Sequence, residues 1–138
     1  ITLAQNTTET KVWAGYPYTM KYTFSEQLFK ATSGTAKTPS GAAKLLIRNC
    51  CLFYNNTAFF QVKVQPKHRD VYVNTFTPDV VGATTLGSLL LDEGFYRFPV
   101  FSQAQDTKIT IENDSALPSN FTSAEFESFT HSRSKRYG

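Results

Sequence analysis

The chain predicts an all-β fold, an antiparallel β-sandwich or jelly-roll-like domain of about seven to nine strands, on three observations. Aromatic residues make up 14% of the 138 positions, twelve Phe and seven Tyr among them. With Thr and Val they favour pleated, half-buried strands over helices. Several segments alternate apolar and polar residues at the two-residue period of a strand. Gly, Pro, Asn and Asp separate those segments at short intervals, as the turns of a sandwich require. The length is that of one domain able to bury its own core.

Taken in order, residues 1–11 are polar and Thr-rich and read as a connecting segment or an edge strand. Residues 12–24 alternate, with Met20, Tyr22 and Phe24 on one face and Thr19, Lys21 and Thr23 on the other. Residues 26–30 suit an extension or a short helical turn. Residues 31–41 collect Ser, Thr, Gly and Pro and read as a surface loop. Residues 43–54 form a long strand apolar on both faces. At an unbroken period of two, Leu45, Ile47, Cys51 and Phe53 share one side, and Leu46, Cys50, Leu52 and Tyr54 the other. Asn55-Asn56 supplies a turn, because Asn tolerates left-handed geometry. From Ala58 to Gln65 the alternation is clean, with Phe60, Val62 and Val64 inward until Pro66 stops the strand.

Residues 71–76 are a short strand closed by Thr77-Pro78. A strand from about Thr84 to Leu91 leads into an acidic-glycine turn at Asp92-Glu93-Gly94, and Phe95 to Phe101 returns, ended or kinked by Pro99. On that second strand Phe95 and Arg97 share one face, while Tyr96 and Phe98 share the other and belong to the core. Thr107 to Glu112 is a further strand, residues 113–120 are a loop holding Pro118, and Phe121 to Thr130 is the last strand. The domain division that follows is a 1–11 segment, a 12–130 sandwich and a 131–138 basic tail. The start at Ile1 implies a fragment or a processed product.

The formal net charge is +3. Arg133, Lys135 and Arg136 supply three of the positive charges, and the rest of the chain is balanced at eleven basic and eleven acidic residues. The body therefore offers no broad basic surface for nucleic-acid phosphates. No run approaches the roughly 18 apolar residues of a membrane span, and no membrane binding is expected. Cys50 and Cys51 are adjacent; neighbouring strand residues face opposite sides, so they cannot bond to one another without severe distortion. Four Asn-x-Ser/Thr sequons, at Asn6, Asn55, Asn113 and Asn120, are expected by chance in a chain so rich in Ser and Thr.

No residues of the chain converge on a chemistry. His68 sits in the exposed turn Pro66-Lys67-His68-Arg69-Asp70, far from His131, without Cys, Asp or Glu at ligand spacing. Asp92-Glu93 reads as a turn pair before glycine rather than as the separated carboxylates of a glycosidase. Neither a catalytic residue, a metal nor a cofactor is expected. The candidate interface residues are Arg97, whose planar fork can pair bidentately with a neighbour's carboxylate, and Arg133, Lys135, Arg136 and Tyr137 of the tail, with Tyr137 as anchor.

Gly94-Phe95-Tyr96-Arg97-Phe98-Pro99-Val100, Lys108-Ile109-Thr110-Ile111 and the segment from Phe126 to Arg136 resemble the C-terminal region of the tail tubular protein B family, which forms the tail nozzle of short-tailed podophages. Tyr18-Thr19-Met20-Lys21-Tyr22-Thr23-Phe24-Ser25 resembles its aromatic strand. Leu45-Leu46-Ile47-Arg48-Asn49, running on to Leu52-Phe53-Tyr54, resembles its long apolar strand. The resemblance covers roughly residues 15–138, and the ordered series carries it rather than any one motif. It departs where the family often has a glycine-tryptophan pair and this chain reads Ala124-Glu125-Phe126. The resemblance implies a non-enzymatic virion protein whose subunits form a ring, hexameric in this family. It also implies a tail adaptor and tail fibres as partners, and phage DNA passing through the channel without specific recognition. The family's propeller-like portion is not in this chain. The alternative is a carbohydrate- or receptor-binding β-sandwich of a virion, which needs exposed aromatics gathered in a groove.

Overall fold

The computed structural model describes residues 15–16, 18–33, 36–39, 43–79 and 89–132. Two antiparallel sheets pack face to face. One has four strands in the order β1 (Met20–Thr23), β8 (Thr107–Asn113), β5 (Phe60–Pro66) and β6 (Tyr72–Phe76). The other has three, with β4 (Ala43–Thr57) between β7 (Asp92–Gln103) and β9 (Phe121–Ser132). The expected all-β sandwich is what forms.

The core is filled from both layers by alternation. From β5, Phe60, Val62 and Val64 point inward, and from β8, Ile109 and Ile111 join them. Opposite lie Ile47, Cys50, Leu52 and Tyr54 of β4 with Phe98 and Val100 of β7. Each such side chain removed from water contributes about 1.5–3 kcal/mol before the cost of ordering the chain. One end of the core is aromatic: Phe60 stacks on Phe76 at 4.7 Å and meets Tyr96 and Phe121 edge-on at 5.5 and 5.1 Å. Tyr96 and Phe98 are thus core residues, as the alternation required, while Phe95 and Arg97 face out.

Several local expectations are corrected. Residues 31–41 are not simply a loop, because β2 (Lys30–Ser33) and β3 (Ala36–Pro39) pair as an antiparallel ribbon. Residues 26–29 make no helical turn and run into β2. The two faces of β4 exchange midway. Ile47 and Asn49 of β4 stand against the consecutive Ser128 and Glu127 of β9, so β4 holds one extra residue there, and the inward set changes from Leu45 and Ile47 to Cys50, Leu52 and Tyr54. A single bulged residue reverses every later side chain. Cys50 is consequently buried and Cys51 only half-buried, and both are free thiols.

Asn56 does take the left-handed geometry, at φ 45, but inside β4, where it forms a bulge against β7 rather than a turn. Asp92-Glu93-Gly94 is likewise no turn. It opens β7, with Asp92 opposite Thr57 and Gly94 opposite Tyr54, so the tight turn expected at these three residues does not form. Leu89 to Leu91 are not in a strand, and Thr84 lies outside the described residues. Of the two effects expected of Pro99, ending or kinking its strand, the second fits: β7 runs through Pro99 and its register with β4 shifts directly after it. On β1, Met20 and Tyr22 share a face with Phe24, as the alternation has it, although Tyr22 stays exposed there.

The loop after β8 is held by a residue that seemed only a chance sequon. The buried Asn113 donates from Nδ2 to the Phe59 and Leu117 carbonyls at 3.2 and 2.8 Å and to Ser119 Oγ at 3.1 Å. Its Oδ1 accepts from the Ser115 amide at 2.9 Å, an Asx turn. The Asn55 amide donates to the Asn120 carbonyl at 3.1 Å, and the Ala58 amide to that of Pro118 at 2.9 Å, fastening this loop to the end of β4.

Candidate interface site

The outward face of the β7-β4-β9 sheet carries a charged centre with phenylalanines at its ends. Arg97 of β7 lies opposite Cys51 of β4, which lies opposite Glu125 of β9. From there Arg97 Nη2 reaches Glu127 at 2.5 Å. Asn49 Nδ2 also donates to Glu127 at 2.8 Å, and Arg48 stands 3.7 Å from the same carboxylate. The hydrogen bond from Asn49, with those from Arg97 and the two cationic charges, holds the Glu127 carboxyl below its usual range. Burial and the charge of Glu125 raise the Cys51 thiol against the opposing charge of Arg97. Beyond this centre, Phe95 is 63% exposed and leans on Phe53 at 6.1 Å, while at the other end Phe129 is 49% exposed. Phe101, 57% exposed, stands at the β7 bulge with φ 42.

The carboxylate expected to meet Arg97 from a neighbour is thus found within the same chain. The sequence could not supply Glu127, because a β9 residue reaches a β7 residue only when both flank β4. Arg133, Lys135, Arg136 and Tyr137 lie outside the described residues, as does Trp13.

Other polar groups have structural partners. Tyr54 Oη donates to Asp92 at 3.0 Å; burial foremost, then that bond and charge, pushes the phenol up to about 12. Glu112, on the outward face of the four-stranded sheet, is 9% exposed and lies between Lys21 at 3.0 Å and Lys63. Their hydrogen bonds, that of Lys63 foremost, lower its carboxyl against the opposing effect of burial. His68 is exposed in the turn after β5 beside Lys67, Arg69 and Asp70. Among the described residues no three His, Cys, Asp or Glu gather as a metal site.

Between the β1 and β9 edges runs an apolar cleft of ≈ 470 Å³, lined by Met20, Tyr22 and Phe24, by Leu52 and Ile111 at its floor, and by the first residues of β9. Phe24 meets Phe126 edge-on at 5.4 Å and ties the two edges together at one end. The alternation could not foretell this cleft, which depends on how far two strands distant in sequence stand apart.

The fold and its surface define a β-sandwich module in which, among the described residues, Glu112, Glu127 and Tyr54 tie neighbouring strands together. A family model described as bacteriophage nozzle protein matches residues 1–137, and the chain belongs to that family. It is similar to the tail tubular protein gp12 of Escherichia phage T7, with 29% identity over 119 residues, 84% of this chain and 15% of that protein. The chain therefore spans about 15% of the length of this relative. It is a structural component of the phage tail, located in the virion, and membership in a family of structural tail proteins points away from catalysis.

Proposed function

We propose that the chain is a non-enzymatic contact module of a tail nozzle, joining neighbouring subunits of a hexameric ring to one another or to the tail adaptor and tail fibres. Phage DNA leaves through the channel of that ring without sequence-specific recognition. The observation that carries the contact role is the outward face of the β7-β4-β9 sheet. It combines an arginine, fixed in place by Glu127, with half- to mostly exposed phenylalanines, and Arg and aromatic residues are the types enriched where proteins meet. An arginine already held by a carboxylate loses less side-chain freedom when a partner arrives. The basic residues Arg133, Lys135 and Arg136 dock on an adjacent subunit, with Tyr137 as anchor.

The alternative, a carbohydrate- or receptor-binding module, needs exposed aromatics gathered in a groove; the cleft holds Tyr22, Phe24 and Phe121, whereas Phe95 and Phe129 stand on an outward sheet face. The test compares tail assembly by the intact protein, by its Arg97→Ala variant and by a form lacking residues 133–138, which keeps the whole of β9. Both changes are expected to leave the sandwich folded and to lower incorporation into tails. Normal incorporation of both removes Arg97 and the tail from the interface, and saturable binding on a glycan array favours the alternative.

A further inference from the structure

Four strands end the two sheets, and they are not equally protected. On the four-stranded sheet the edge strands are short, β1 with four residues and β6 with five. On the three-stranded sheet both edges are 12 residues long. Long edges expose rows of unpaired donors and acceptors, which proteins blunt with Pro, bulges and inserted cations. Strand β7 is blunted in that way: Pro99 lacks a donor, Phe101 is left-handed at a register shift, and Gly94 has φ 154. Strand β9 is blunted only at its start, where Thr122 is an extra residue opposite Phe53 and Tyr54; from Ser123 to Ser132 it contains no Pro, Gly, Lys or Arg, and the extra residue opposite Ser128 and Glu127 belongs to β4. Among the described residues nothing pairs with its other side.

The unguarded edge borders the apolar cleft. Sheets β1-β8-β5-β6 and β7-β4-β9 touch there through Phe24 and Phe126, and the cleft opens between Met20 and Tyr22 on one rim and residues 121–124 on the other. A strand laid along β9 would turn alternate side chains into that cleft. Its remaining side chains would lie beside the outward row of Ser123, Glu125 and Glu127. Glu127 of this row is already held by Arg97 and Arg48, whereas Glu125 is exposed and makes no ion pair among the described residues, so Glu125 is the place where the row can take a further positive charge.

We propose that β9 is a strand-addition site that receives an extended segment of a neighbouring polypeptide along Ser123 to Glu127. That segment alternates apolar residues, which fill the cleft, with polar ones, of which a basic residue faces Glu125. Main-chain hydrogen bonds supply affinity, and the cleft and the acidic row supply selectivity. A second β9 is the wrong partner in the register centred on Phe126, because Glu125 and Glu127 then face each other. The proposal rests on the chain being a building block of the tail and adds which edge is used and by what kind of segment.

The test is hydrogen exchange on the free protein and on the assembled particle, with cross-linking to identify what lies along β9. The β9 amides not bonded to β4 are expected to exchange about tenfold or more slowly in the particle. Glu125→Lys, at an exposed position, is expected to lose that protection, and Ser123→Lys repeats the same arm at a second exposed site. Unchanged exchange in a particle that contains the protein overturns strand addition and leaves the tail assignment standing. Protection indifferent to both lysine variants, or a second β9 across the edge, overturns the proposed partner chemistry. Absence of the protein from the tail overturns the reading on which the proposal rests.

Discussion

At the scale of single residues, Glu112 and Tyr54 serve as ties between strands. Glu112 sits between Lys21 and Lys63 on neighbouring strands, with its carboxyl lowered. A carboxyl lowered in the folded state stabilises above the unfolded-state pKa, and that stabilisation fades as pH falls through the folded value. The melting temperature is therefore expected to drop as pH is taken from about 7 to about 3, and to drop less steeply in Glu112→Gln. Equal slopes in thermal melts would remove Glu112 from that dependence. The Tyr54–Asp92 bond pins the start of β7 to the end of β4. Tyr54→Phe is expected to cost about 0.5–1.5 kcal/mol in denaturant unfolding. Asp92→Asn in the same background should then add little, which a double-mutant cycle reads directly.

At the scale of the strands, what matters is where alternation breaks. Strands β5, β8 and the start of β7 keep their period, so their inward residues were legible in the sequence. Strand β4 was legible as a strand but not in its faces, because it is apolar on both sides and nothing in its composition marks the bulge after Ile47. Asp92-Glu93-Gly94 misleads for a related reason. Residues that suit a turn also suit an edge strand's irregular beginning, and only Thr57 and Tyr54 across the ladder decide between them. The bulge of β7 stores strain, since Phe101 holds φ 42, which costs a non-glycine residue about 1–2 kcal/mol. Phe101→Gly is expected to keep or raise the melting temperature while removing an exposed phenyl group. If that group is a contact, tail assembly falls as stability rises; a loss of stability would show that the phenyl group supports the fold.

At the scale of the whole molecule, two sheets share one interior and divide the aromatic residues between core and surface. One strand displays both destinations. Phe98→Ala is expected to cost about 3–5 kcal/mol in chemical unfolding, because Phe98 is buried against both layers. Phe95→Ala should stay within about 0.5 kcal/mol and act on assembly instead. Composition and period two by themselves determined that this protein is all-β, that Tyr96 and Phe98 lie inside while Phe95 and Arg97 lie outside, and that Cys50 and Cys51 cannot pair. These are local properties, fixed by the alternation of side chains along a single strand. The partner of Arg97, the exchange of faces in β4, the cleft between β1 and β9 and the unguarded edge were decided only by tertiary structure. Each depends on the register and spacing of strands far apart in sequence, and one bulged residue is enough to change them.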